Sequence, residues 1–151
     1  MHDVHTQGLL HRVVHLIVVD ESDRILLQKR GPDVATHPNL WDFSAGGHVD
    51  EGEDYAVAAL RELQEELGLT GFDLHELDYS RLVLTTKGLR LERFVKLFEV
   101  TVPVDIPITI EPAEVSEARW FTEDEVRQLL VDDPAIFTPH FIESLETYYL
   151  K

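Results

Sequence analysis

Residues 13–19 are aliphatic at every position but His15. A polar stretch, Asp20-Glu21-Ser22-Asp23, separates them from a second strand-like run at residues 24–30. Two such runs flanking a polar turn predict a β-hairpin. Residues 31–39, with two prolines, read as a loop, followed by a short strand near residues 41–45. Gly46-Gly47 then allows backbone to approach another group closely. From about residue 54 to 67 the period changes to that of a helix, with Ala56, Leu60, Leu63 and Leu67 on a face that can be buried. Gly68 stands where a helix C-cap is expected. Two longer strands are predicted at residues 74–85 and 89–102, joined by Thr86-Lys87-Gly88. Pro103, Pro107 and Pro112 mark an irregular segment before a strand at residues 118–121. Thr122 is placed to N-cap a helix, and Asp133-Pro134 divides it from a last helix at about residues 135–150. Residues 1–10 lack apolar periodicity and are expected as a loose lead-in. Strands interspersed with three helices predict an α/β fold with a mixed sheet covered on both sides. With no repeat or linker, residues 1–151 are expected as a single domain.

The polar side of the 54–67 helix carries the chemistry. Residues 47–69 hold seven carboxylates against one cation, Arg61. At about 100° per residue, Glu62, Glu65 and Glu66 project together. Like charges in one patch destabilise a helix unless a cation neutralises them. Hard divalent cations take oxygen ligands and are commonly shared between carboxylates and substrate phosphates. The pattern therefore points to a metal site that handles a phosphorylated small molecule. Net charge is −16, from 13 basic and 29 acidic residues. Such a chain should repel nucleic-acid polymers, whose binding relies on Lys and Arg. Phosphorylated small molecules stay accessible because a bound cation inverts the local potential. The absence of cysteine excludes disulfides, thiolate zinc and a cysteine nucleophile. No apolar run approaches the roughly 20 residues needed to span a bilayer, and no signal-peptide pattern opens the chain. A cytoplasmic protein that avoids membranes is expected.

Gly47, five residues, Glu53, seven residues, then Arg61-Glu62-Leu63-Gln64-Glu65-Glu66-Leu67-Gly68-Leu69 match the fixed positions of a known motif. The chain resembles a Nudix hydrolase from roughly residue 9 to its C-terminal helix. The resemblance implies a Nudix-type α/β/α sandwich with a mixed β-sheet. It also implies Mg²⁺-dependent hydrolysis of a diphosphate linkage, with Mn²⁺ as a substitute, in a nucleoside di- or triphosphate or related derivative. Glu65 and Glu66 map to helix metal ligands, Glu62 to a ligand or general base, and Gly46 to a ligand through its carbonyl oxygen. Glu53 and Arg61 are expected to pair and brace the loop against the helix. One more carboxylate is expected from a distant loop: among Glu111, Glu114 and Glu117, Glu114 best matches the spacing ahead of Trp120. Arg30, or Lys29, is a candidate to hold a substrate phosphate, and Arg30 is favoured because it shares a strand side with Gln28, opposite Leu27. Trp41 and Trp120 are candidate stacking platforms, with a core role favoured for Trp120.

Residues 11–15, 26–30 and 44–48 resemble the isopentenyl-diphosphate isomerase branch of the same superfamily. His5, His11 and His48 fall near that isomerase's histidine metal site. Its essential cysteine, however, corresponds to Gly46, and its further acidic ligands fall around residues 91–93, where only Glu92 is acidic. A hydrolase is therefore expected, with isomerisation of an isoprenoid diphosphate and non-catalytic nucleotide sensing as the alternatives. A homodimer formed by strand exchange or sheet-edge pairing is compatible with the sequence.

Overall fold

A computed structural model describes residues 10–86 and 89–150. Its centre is β1 (Leu10–Asp20), whose β-branched run lies between partners on both sides. On one side β1 runs parallel to β6 (Leu89–Val102), in register from Leu10↔Glu92 to Asp20↔Val102. Strand β6 also pairs antiparallel with β5 (His75–Thr86). The other edge of β1 is divided. Its C-terminal end pairs with β2 (Ile25–Arg30) at Val18↔Leu26 and Val19↔Ile25, the expected hairpin. Its middle pairs with β4 (Ala45–His48) at Val13↔His48 through Leu16↔Ala45. Strand β2 continues to β3 (Trp41–Asp42) and to β7 (Val115–Phe121). The sheet is mixed.

Alternation along β1 sends side chains to two separate cores. Val14, Leu16 and Val18 face α1 (Tyr55–Leu67), packing with Ala58, Ala59, Leu63 and Leu67. Ile17 joins Leu27, Leu97 and Phe121 on the other face. There it meets Val126 of α2 (Glu123–Asp132) and Phe141 and Leu145 of α3 (Pro139–Tyr148). Helices on both faces of a mixed sheet make the α/β/α sandwich. Burying Leu63 and Leu67 completely contributes roughly 1.5–3 kcal/mol each.

Helix α1 starts and stops as its sequence predicts. The Asp54 carboxylate accepts from Val57 N at 2.9 Å, and Gly68 ends the helix at φ 69°, a left-handed conformation suited to glycine. Its rotation about its own axis differs from expectation. Ala56 and Leu60 are exposed, and Glu62 and Glu66 are buried beside Ala59 and Leu63. The helix is turned so that two carboxylates, rather than an all-apolar stripe, face the Gly46-Gly47 strand.

The last helix also differs. A 3₁₀ turn, Pro134–Ile136, precedes α3, and the two are parted at Phe137-Thr138. Thr138 N donates to Trp41 O at 3.0 Å and its hydroxyl to Asp42 Oδ1 at 2.9 Å, so the chain is drawn toward β3. Pro139, which has no N–H, then restarts the helix.

Candidate active site

A cleft of about 390 Å³ opens where β4, the end of β2 and the inward face of α1 meet. Glu66 forms its floor. One carboxylate oxygen accepts from Gly46 N at 2.7 Å and the other from the Gln28 side-chain amide at 3.1 Å. Both donors are neutral. Burial pushes the Glu66 carboxyl up to about 7, despite those hydrogen bonds, and the charges of Glu62 and Glu114 push the same way.

Glu62, one turn earlier, lies directly against Gly47. A Cβ at residue 47 would lie 2.4 Å from a Glu62 carboxylate oxygen, so any side chain there would push that carboxylate aside. Burial raises the Glu62 carboxyl, while Arg61 opposes the shift. Arg61 Nη1 donates to Glu62 at 2.8 Å. The rest of this guanidinium grips Glu53: Nε at 3.0 Å and Nη2 at 2.9 Å, a bidentate pair. Nη2 also donates to His48 O at 3.0 Å. The clamp fastens residues 48–53 to α1 and holds the Glu53 carboxyl at about 2. The expected Glu53–Arg61 pair is thus formed.

Glu65 stands at the rim, its side chain 58% exposed, with Arg61 Nη1 at 3.5 Å. Glu114 comes from the loop before β7. A turn bonding Glu114 N to Glu111 O at 3.2 Å and Gly31 N to Glu114 O at 3.0 Å carries it to the cleft. Glu111 spends a carboxylate oxygen on Ala113 N at 3.0 Å. Glu117 sits within β7, opposite Lys29. Of the three loop candidates, Glu114 lines the cleft.

These groups fit a hard divalent cation. Glu62 and Glu66 are buried carboxylates whose pKa values are raised chiefly by burial and further by neighbouring carboxylates, and Glu65 and Glu114 border them. Among the described residues no three acidic or imidazole groups already converge on one metal-sized point. Arg61 provides the positive charge among Glu53, Glu62 and Glu65.

Two expectations change. Trp41 is not a stacking platform. It is 7% exposed, edge-on to Phe121 at 5.2 Å, and covered by Arg119, because β3 lays it into the core with α3. Arg30 reaches the cleft, yet its three nitrogens already face Asp42 Oδ2 at 3.2 Å, Thr36 O at 2.9 Å and Thr36 Oγ1 at 3.3 Å. It ties the residue 31–40 loop to β3 rather than presenting a free hand to phosphate. Trp120 is partly buried against the α1-side core, under Arg24. His11 and His48 stack at 5.0 Å. His5 lies outside the described residues.

Gly46 is also closed to a side chain: a Cβ there would lie 2.9 Å from Val14 O and 3.0 Å from His15 Cδ2. Three cleft residues were missed from sequence: Gln28 as the Glu66 donor, and His15 and Arg93 on the opposite wall. Arg93 had a signal, being a charge at the position that alternates with buried Val95 and Leu97.

The sequence profile of the NUDIX domain matches residues 9–141. A Nudix hydrolase of Pseudomonas aeruginosa is 31% identical over 98% of this chain and 81% of its own length. An isopentenyl-diphosphate Δ-isomerase of Cereibacter sphaeroides is 31% identical over 91% of this chain and 77% of its own. Nudix hydrolase 3 of Arabidopsis thaliana is 30% identical over 91% of this chain, which spans 19% of that longer protein. The crystal structure of DR0079 from Deinococcus radiodurans superposes with a TM-score of 0.72 at 25% identity, covering 92% of this chain and 83% of that one. With the Gly47-to-Leu69 motif folded as one loop-and-helix unit and the profile spanning nearly the whole chain, this protein belongs to the Nudix family, as a hydrolase.

Proposed function

We propose that this protein hydrolyses a diphosphate linkage in a nucleoside di- or triphosphate, or a related nucleoside diphosphate derivative, with Mg²⁺. The burial of Glu62 and Glu66 against Gly46-Gly47 carries the proposal. A fold maintains two buried, incompletely compensated carboxylates at a cost in stability, and a cation-dependent site is the function that offsets it. Glu62, Glu65, Glu66, Glu114 and the Gly46 carbonyl would hold Mg²⁺, with Mn²⁺ able to substitute. When bound, the ion supplies neutralisation of phosphate oxygens and a lowered pKa for the attacking water. Glu62, or the loop carboxylate Glu114, is the base that takes the water's proton. Arg61 and Glu53 hold the loop that positions Gly46 and Gly47. The net charge of −16 supports a small phosphorylated molecule over a nucleic-acid polymer as substrate. The proposal takes residues 1–151 as one catalytic domain acting in the cytoplasm, alone or as a homodimer.

The test is release of phosphate or nucleoside monophosphate from a nucleotide panel with Mg²⁺, comparing wild type with Glu65→Gln. Turnover that the substitution abolishes supports the proposal; full activity in the variant, or turnover of no panel member, overturns it.

Likeness to the isomerase keeps isopentenyl diphosphate as a second candidate substrate. The close packing of Gly46 on β1 argues against it, since a cysteine there would require Val14 and His15 to move. Incubation with isopentenyl diphosphate, with NMR detection of the allylic product, separates the two.

A further inference from the structure

The cleft wall facing away from α1 carries polar groups that the acidic site leaves unused. Arg93 of β6 lines it with His15 of β1. Its Nε is sealed from water without a hydrogen-bond acceptor. Burial lowers the pKa of its guanidinium. The other cleft arginines are engaged: Arg30 with Asp42 and Thr36, Arg61 with Glu53 and Glu62. Two of the three carboxylates lining the cleft are likewise engaged. Asp42 receives Arg30, Phe43 N and Thr138, and Glu66 receives Gly46 N and Gln28. Beside Arg93, His15 stacks on Phe43 at 4.1 Å and meets the edge of His140 at 5.2 Å, and its Nδ1 is also sealed without a partner.

Arg93 is half-buried, and a guanidinium partly withdrawn from water with its Nε sealed gains from meeting an anion. Its planar fork matches two oxygens of a phosphate or carboxylate. In a chain of net charge −16, an uncompensated cation in a cleft marks where an anion enters. We propose that Arg93, with the His15 imidazole beside it, seats a second anionic group of the substrate, a phosphate or carboxylate lying beyond the linkage that is cut. The proposal rests on the hydrolase reading above and narrows its substrate class. The preferred molecule carries an anion on the side away from the Glu62–Glu66 wall, and derivatives without one leave Arg93 unfilled.

The decisive experiment needs no turnover. The full-length, metal-free, ¹⁵N-labelled protein is titrated with inorganic phosphate and, separately, with acetate. The Arg93 Nε–H resonance is followed after assignment by its loss in Arg93→Lys. A saturable shift with phosphate assigns a phosphoryl group, and one with acetate assigns a carboxylate. A resonance that neither anion moves, or shifts confined to other arginines, overturns the proposal. On any hydrolysed pair differing only in the extra anion, Arg93→Lys should raise KM for the anionic member about 10- to 100-fold. Its kcat should stay within about twofold, with KM for the other member unchanged. Equal effects on both members would also overturn it. If nothing is hydrolysed, the hydrolase proposal falls, while the titration still decides Arg93.

Discussion

Glu62 and Glu66 stand one turn apart on the same helix, face the same glycine pair, and are held in different ways. Glu62 has a guanidinium at 2.8 Å, and that guanidinium is anchored by Glu53 and by a backbone carbonyl. Glu66 has only an amide N–H and a glutamine side chain. The Arg61 region is partly compensated: one guanidinium serves Glu53, Glu62 and Glu65 and fastens the loop to the helix. The Glu66 region is unfinished, because neutral donors offset only part of the cost of burying a charge. The clamp supplies architecture, and the unfinished region supplies affinity for a cation.

The largest effect should come from the unfinished side. Glu66→Gln is expected to lower turnover at saturating Mg²⁺ by about 10²–10³-fold, the scale of losing one charge-stabilising group at a reacting centre. Steady-state rates on the best panel substrate check this. Equal loss from Glu53→Gln would erase the distinction drawn here.

Arg61→Ala should act through position rather than charge supply. Activity is expected to fall about 10–100-fold, as for groups that orient ligands without binding the metal. The Glu53 carboxyl, held at about 2 by Arg61, should return toward its ordinary value. NMR titration of that carboxyl follows the change.

Stability should move in the opposite sense to activity at Glu66. Its carboxyl is raised from 4.5 to about 7 in the fold, so the folded state binds the extra proton between those values. The metal-free protein is then most stable, as far as this group goes, below pH 4.5, and loses stability as pH rises through 7. The full penalty above that window is on the order of 3 kcal/mol. Glu66→Gln removes it, so the inactive variant should be the more stable metal-free protein at pH 8, with a flatter dependence between pH 5 and 7. Denaturant titrations across that range measure the difference. A variant less stable than wild type at pH 8 would mean that Glu66 is already compensated.

The smallest effect belongs to Glu114, which is exposed and reaches its neighbours only through charge. Glu114→Gln should lower activity by less than about tenfold and lower the Glu66 pKa slightly.

Much of this arrangement was legible in the sequence. The Asp54 start and Gly68 stop of α1, the β1–β2 hairpin, the β5–β6 pair and the Thr122 cap all depend on neighbours close along the chain. Helix periodicity put Glu62 and Glu66 one turn apart on one buried face, while Glu65 stands at the exposed rim. What stayed hidden depends on distant partners. Leu60 was expected inside, but α1 is rotated by its packing on β4, which joins β1 only in three dimensions. Trp41 was expected in the cleft, and its burial comes from Phe121 and Phe137, remote in the chain. Arg30 was expected to be free because Asp42 and Thr36 could not be assigned to it in advance. The final helix broke where Thr138 found β3, a contact 96 residues from Asp42.

The most direct measurement compares Mg²⁺ stabilisation of wild type with that of the Glu62→Gln/Glu66→Gln double variant at pH 8, by thermal melting over a Mg²⁺ series. A saturable rise in melting temperature for wild type, absent from the double variant, is the expected result. An equal rise in both, or no rise in wild type, would contradict the view that these two buried carboxylates gather the ion.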